Sequence, residues 1–452
     1  MHWSRVWPRA LFFVAVAIVG CSGSGGGGSP SIPADRTTSI PSSANAIQHI
    51  VVVIQENRSF DNLFATYPGA DGTTYGYLHN GHKFFLTKAP LSGKELTHLR
   101  CGYLIEYDGG KMDGFDQIWF TSGCGRPSQA AGTYPLRYVD PAQIQPYWTM
   151  AKNYELADHM FQTQGSGSFT AHQEFIVGGT KYTATRSLID LPSTGVPWGC
   201  DGPRTPPTPM VTSYITTSLQ FHFNQGPFPC MSYKALAGLL DVKRLSWKYY
   251  VPPLLTPGSS GALWNAFDAI RKVRYGRDWT KVVTPETAIF QDISANNLPA
   301  VSWVIPCGQN SDHASSTDTG PSWVAGIVNA IGKSAAWKST VIIVVWDDWG
   351  GYFDHVPPAF IDDQGGLGFR VPMLVISPYS KKVGYISHTQ YEFGSIVKFI
   401  ENNWNLGNLG QTDVRATSIA DMLDLTKSRA FVPIPAAKWQ SCPGGDTAPD
   451  DE

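Results

Sequence analysis

The sequence predicts an α/β domain with a mostly parallel central sheet, helices on both faces and long loop excursions. Three observations predict it. Short runs of apolar, β-branched residues recur along the chain, and runs without alternation belong to strands buried on both faces. Segments with helical spacing lie between the later runs. Polar clusters follow directly on the carboxyl ends of three runs, where ligands bind in open α/β sheets.

In order, the strands expected are His49 to Ile54, Ala300 to Ile305, Val341 to Trp346 and Val371 to Ile376. The helices expected are Ala262 to Tyr275, Ser322 to Trp337 and His388 to Trp404. Residues 60–150 and 180–235 are rich in Gly, Pro and aromatics and read as excursions that wall a site. The catalytic domain is expected over 46–435. The Pro/Gly/Asp-rich tail, 436–452, is expected to be loose.

Ahead of the domain stands a targeting segment. His2, Arg5 and Arg9 precede an apolar run from Leu11 to Gly20, too short to span a bilayer. Ile18-Val19-Gly20-Cys21 reads as a lipobox, with Cys21 acylated after removal of 1–20. Residues 21–45, opening on a Gly/Ser stretch, read as a flexible tether. This implies an exported, periplasmic or cell-surface protein held to the membrane by a lipid anchor. Removing Arg5 and Arg9 with the leader takes the formal charge from −2 to −4. With no long Lys/Arg run, nucleic acid is not an expected partner. Six cysteines remain, an even count that suits disulfides in an exported chain. The pairs expected are Cys101–Cys124 and Cys200–Cys230.

The polar clusters carry the chemistry. Glu56 and Asn57 follow the first strand, and Asp347 and Asp348 follow another. Adjacent carboxylates repel, and this oxygen-rich set suits one divalent ion, Ca, Mg, Mn or Zn. The plainer reading is that Asp347-Asp348 caps a turn and that Arg58 pairs with Glu56 or Asp61. Gly165-Ser166-Gly167-Ser168-Phe169-Thr170 precedes a helical segment, so hydroxyls and backbone N–H groups meet at a helix N-terminus, a favourable place for phosphate. Either Ser168 or Thr170 could equally be a plain N-cap. His98, His172, His313, His355 and His388 read as loop histidines able to donate protons to oxygen.

Together these segments resemble the bacterial phosphoesterase family that holds phospholipases C and a broad-specificity acid phosphatase. The resemblance rests on Glu56-Asn57-Arg58-Ser59-Phe60-Asp61, Asp108-Gly109-Gly110-Lys111-Met112-Asp113-Gly114-Phe115, Gly167-Ser168-Phe169-Thr170-Ala171-His172-Gln173, Ser311-Asp312-His313, and Trp346-Asp347-Asp348-Trp349-Gly350-Gly351-Tyr352-Phe353-Asp354-His355-Val356-Pro357-Pro358. It implies an alkaline-phosphatase-like core, a phosphate-ester substrate that includes phospholipid as a possibility, and one metal. It places Glu56, Asn57, Asp347 and Asp348 on metal-ligand positions and Ser168 on the nucleophile, which also meets the metal. It places His98, Asp312 and His313 along the phosphate site, with His355 following by motif. Gly167 stands where relatives carry Pro, and Thr170 offers a second hydroxyl two residues on. Ser168 is the expected nucleophile of the two.

Two rival readings stand beside this one. A sulfatase needs a C/S-x-P-x-R signature, and Cys124-Gly125-Arg126-Pro127-Ser128 has those residues in the wrong order. A non-catalytic surface-binding lipoprotein on a decayed scaffold would have lost some of Glu56, Asp347, Asp348 and Ser168, and all are present.

Overall fold

The structure, a computed structural model, describes residues 46–121, 123–125, 129–193, 195–205, 209–254, 260–359, 362, 364–440 and 442. The leader, Cys21 and the tether lie outside the described residues.

An eight-stranded sheet forms the centre. In chain order its strands are β1 (His49–Gln55), β2 (Glu155–Ala157), β3 (Trp247–Tyr250), β4 (Val282–Val283), β5 (Val301–Val304), β6 (Thr340–Trp346), β7 (Met373–Ile376) and β8 (Tyr385–Ser387). Their spatial order is β4-β3-β5-β1-β6-β7-β2-β8. Every neighbouring pair is parallel except the two that β7 makes. The fold is therefore the α/β sheet expected, with one strand reversed. β7, expected as a buried strand at Val371 to Ile376, is the reversed one. The chain leaves β6 at its carboxyl end and re-enters the sheet with no crossover helix among the described residues, which suits an antiparallel return.

β1 and β6 are buried along almost their whole length, as their unbroken Ile/Val runs require. Helices α1 (Phe60–Phe64), α2 (Arg100–Tyr107), α3 (Gln145–Asn153), α4 (Ser168–Val177), α5 (Gly320–Gly332) and α6 (Phe393–Trp404) surround the sheet. They include a pair α3 with α5 and a pair α4 with α6. A small antiparallel sheet, Lys181–Thr183, Arg186–Ile189, Ser213–Thr216 and Phe221–His222, lies within the second excursion.

Two expectations are corrected. The helix expected over Ala262 to Tyr275 is three short turns, Gly261–Trp264, Ala266–Ala269 and Arg271–Arg274. Asn265 breaks it by bonding its own side chain to the Asp268 backbone N–H. The tail is not loose where it is described. Trp439 stacks on Phe290 with ring centroids 5.5 Å apart and meets Trp323 edge-on, and Gln440 bonds Asn310. Disulfides join Cys101–Cys124 and Cys200–Cys230 as expected, and Cys307–Cys442 ties the tail to the end of β5. Such bonds suit an exported protein.

Candidate active site

The site begins with strand register. Gln55, the last residue of β1, pairs with Trp346, the last of β6, so Glu56 and Asp347 emerge side by side. The Asp347 N–H donates to Gln55 O at 2.9 Å and holds the two ends together. Asn57 takes a left-handed backbone with φ of 57°, a conformation Asn tolerates better than most residues. Its N–H donates to Asp347 Oδ1 at 2.9 Å. Gly350 turns the other chain at φ of 63°, and a Cβ there would lie 2.2 Å from Asn57 O. Only glycine lets these loops approach so closely.

Helix α4 brings the third wall. Gly167 is its N-cap and Ser168 its first residue. The Ser168 hydroxyl lies 3.2 Å from Asp348 Oδ2 and 3.5 Å from Asn57 Oδ1. One turn on, His172 Nε2 lies 2.9 Å from Glu56 Oε1 and 3.9 Å from Asp347 Oδ2. Glu56, Asn57, Ser168, His172, Asp347 and Asp348 are all buried. The resemblance-based set Glu56, Asn57, Ser168, Asp347 and Asp348 thus converges at one point.

That point fits a divalent cation. Glu56, His172 and Asp347 each offer a ligand atom, and these atoms lie within 4.8 Å of one another. Asp347 Oδ2 is buried without a hydrogen-bond partner, an expensive state for a carboxylate oxygen unless a cation meets it. Carboxylate oxygens with one imidazole nitrogen suit a hard or borderline metal. His172 was legible only as a loop histidine. It sits on α4, four residues after Ser168, and that spacing puts both on one helix face.

A histidine pair lies alongside. Glu95 Oε1 is 3.1 Å from His98 Nδ1, and Glu95 Oε2 is 3.2 Å from His313 Nε2. His98 Nδ1 also reaches Leu96 O at 2.7 Å, and His313 Nδ1 reaches Ser315 Oγ at 2.9 Å. Trp264 joins the two halves, stacking on His172 and tilting against His313, each with centroids 6.3 Å apart. The sequence reading gives neither Glu95 nor Trp264 a role. Glu95 carries a weak signal, a carboxylate three residues before His98.

Two expected residues point elsewhere. Asp312 Oδ2 accepts from Tyr147 Oη at 2.8 Å and Trp346 Nε1 at 3.0 Å, and its carbonyl accepts from Arg58 Nε. Burial pushes its carboxyl up to about 6, against the hydrogen bond from Tyr147. Asp312 braces the end of β6. Arg58 is spent on Asp312 O, Asn62 Oδ1 and Leu91 O, so it pairs with neither Glu56 nor Asp61. His355 belongs to a separate cluster. Its Nδ1 lies 2.7 Å from Asp61 Oδ2, its Nε2 3.4 Å from Asp71 Oδ1, and Arg370 stands beside it. Thr170 Oγ1 donates within its own loop, to Ser166 Oγ or Gly167 O, which leaves Ser168 as the hydroxyl facing the carboxylates.

Comparison with known proteins gives the family. Residues 47–407 match the Phosphoesterase family. The chain is 26% identical to phospholipase C B of Mycobacterium tuberculosis, over 84% of this chain and 78% of that one. It is 24% identical to a non-hemolytic phospholipase C of Burkholderia pseudomallei, over 93% and 64%. It is 26% identical to non-specific phospholipase C6 of Arabidopsis thaliana, over 86% and 74%. Among solved structures, a Vibrio parahaemolyticus protein of the alkaline phosphatase superfamily matches 83% of this chain and 72% of its own at 10% identity and a TM-score of 0.36. So distant a likeness says nothing of chemistry. The chain belongs to the Phosphoesterase family and is a phosphoric ester hydrolase homologous to bacterial phospholipases C.

Proposed function

We propose that the protein hydrolyses phospholipids in the manner of a phospholipase C, through a phosphoserine on Ser168, with one divalent cation at its site. The observation that carries this is the placement of the Ser168 hydroxyl at the N-terminus of α4, 3.2 Å from Asp348 Oδ2 and beside the Glu56–His172–Asp347 group. Glu56, Asn57, Asp347 and Asp348 would hold the cation, with His172 as a further ligand and Ser168 beside it. A divalent ion bound there supplies Lewis acidity that favours an ionised hydroxyl and offsets charge on phosphoryl oxygens.

The chain's own groups do the rest. Asp348 Oδ2 accepts the Ser168 hydroxyl, aims its oxygen and takes its proton as the oxygen attacks phosphorus. The Ser168 Oγ–P bond forms as the bond from phosphorus to the glycerol oxygen breaks. The backbone N–H groups at the start of α4 face the phosphoryl charge. The His98–Glu95–His313 group delivers the proton that the leaving glycerol oxygen needs. Water then cleaves the Ser168 phosphoester and releases the phosphorylated head group. Acylation of Cys21 would keep the enzyme at a membrane, and detergent phase partitioning of Cys21→Ser against wild type tests that part.

A substrate panel tests the reading: phosphatidylcholine, a nucleotide monophosphate and an aryl phosphate. Phosphatidylcholine should yield phosphocholine and diacylglycerol. Acid quench should trap phosphate on Ser168, and Ser168→Ala should lose activity by about a thousandfold or more. Turnover of the monoesters alone would replace the phospholipase reading with an acid phosphatase. An active Ser168→Ala protein would remove the nucleophile.

A further inference from the structure

An aromatic hairpin rests on the loop that leaves the active-site carboxylates. Tyr75–Tyr77 and Lys83–Phe85 pair antiparallel, with Tyr75 opposite Phe85, Gly76 opposite Phe84 and Tyr77 opposite Lys83. Strand alternation puts Tyr75, Tyr77, Lys83 and Phe85 on one face and Gly76 with Phe84 on the other. The inner face is seated. A Cβ on Gly76 would lie 2.6 Å from the Phe353 ring, and Phe84 packs on the cluster that holds Trp349 and Phe353. Trp349 and Phe353 follow Asp347-Asp348 directly, so the hairpin sits on the carboxyl-end side of the sheet, where the site lies.

The outer face is bare. Tyr75 is 38% exposed, Tyr77 48% and Phe85 66%. Their rings touch, with centroids of Tyr75 6.2 Å from Tyr77 and 6.4 Å from Phe85. Lys83 Nζ lies 3.5 Å over the Tyr75 ring. A contiguous row of exposed aromatics marks an interaction surface. Its charge narrows the partner. From Gly72 to Lys94 the chain carries Lys83, Lys88 and Lys94, with no Asp or Glu, although its overall formal charge is −2. Lys88 is engaged by Asp140, while Lys83 stays among the rings. Tyr rings with a polar tip beside a snorkelling lysine suit the boundary between water and lipid head groups.

We infer that the Tyr75/Tyr77/Lys83/Phe85 face of this hairpin docks on a phospholipid surface and presents the bilayer to the active site. The inference rests on the phospholipid reading above. The test uses the full chain carrying Cys21→Ser, so that no acyl group at that position contributes. Vesicles of phosphatidylcholine with a minor share of phosphatidylglycerol are the probe, and flotation reads binding without turnover.

The Tyr75→Ser/Tyr77→Ser/Phe85→Ser variant should bind about tenfold less than its parent. Its rate on vesicle lipid should fall in step, while its rate on a soluble aryl phosphorylcholine should not change. Lys83→Glu should weaken binding to these vesicles and remove part of its salt dependence. Equal flotation of parent and triple variant would overturn the inference. So would equal loss on vesicles and on the soluble substrate, which would place the hairpin in the fold or the site. A parent that dimerises through this face, with the triple variant monomeric by light scattering, would replace lipid with a second copy and also overturn it. A parent that floats with vesicles but leaves their lipid intact supports the docking face and defeats the substrate reading.

Discussion

Asp347 and Asp354 lie seven residues apart in the same loop, and both are fully buried. Their surroundings differ in one respect. Asp354 receives Arg370 Nε at 2.9 Å and its terminal nitrogen at 3.2 Å. Arg370 also donates to the carbonyls of Asp71 and Asp158, and Asp61 stands 3.6 Å away. Among the described residues, Asp347 pairs with no lysine or arginine. Its Oδ1 accepts two backbone N–H groups, and its Oδ2 has no hydrogen-bond partner. One buried carboxylate has its counter-charge built into the chain. The other sits beside Glu56 and His172, and under the proposed function a bound cation would supply its counter-charge. Two buried Asp/His clusters of similar composition thus serve different ends. Arg370 neutralises one cluster, and the lack of such a partner at Asp347 is what the proposed cation would answer.

The comparison is sharpest under substitution. Asp347→Asn should cost about a thousandfold or more in activity. Its unfolding temperature in chelator should equal or exceed that of wild type, because an uncompensated buried charge has gone. Added divalent ion should raise the unfolding temperature of wild type but not of Asp347→Asn. Asp354→Ala should do the opposite. It leaves Arg370 buried with fewer partners and should lower stability by about 3 kcal/mol, while the remaining folded enzyme turns over near the wild-type rate. Equal stability losses for the two variants would break the comparison.

His355 gives a smaller effect that belongs to the arginine cluster alone. Burial opposes its charge, but the hydrogen bond and charge of Asp61, with Asp354, lift its pKa above the usual 6.5. A raised histidine pKa stabilises the fold fully below the unfolded-state value and loses that contribution as pH rises through the folded value. Thermal stability should therefore fall as pH climbs above about 6.5, and His355→Gln should flatten that part of the profile. A His355→Gln curve parallel to wild type would contradict it. Thr170→Ala should have the least effect, a few-fold loss of rate and about 1 kcal/mol of stability, because its hydroxyl only ties the turn before α4.

Much of this was legible in the sequence, for reasons the structure makes plain. β1 and β6 are Ile/Val runs buried along almost their whole length, and the shorter β5 and β7 are buried apolar runs too. Their carboxyl ends carry Glu56-Asn57 and Asp347-Asp348, so the fold rule locates the site. β2 and β8 have three residues each, too few to show a period. β2 also contains Glu155, whose carboxyl burial pushes up to about 8. The direction of β7 depends on the route of the chain between Trp346 and Met373, which no local pattern records. Asp312 and His355 stand within the motifs, but Tyr147 with Trp346 and Asp61 with Arg370 hold them, and no local pattern shows those contacts. His172 could have been found from its spacing to Ser168, had the helix been drawn from Ser168 onward.

Metal content measured on three proteins tests the central claim most directly. Wild type, Asp347→Ala and Asp354→Ala are purified without chelator and analysed for bound divalent metal alongside activity. About one ion per chain is expected in wild type and Asp354→Ala, and none in Asp347→Ala. Full wild-type activity without bound metal, or an ion retained by Asp347→Ala, would contradict it.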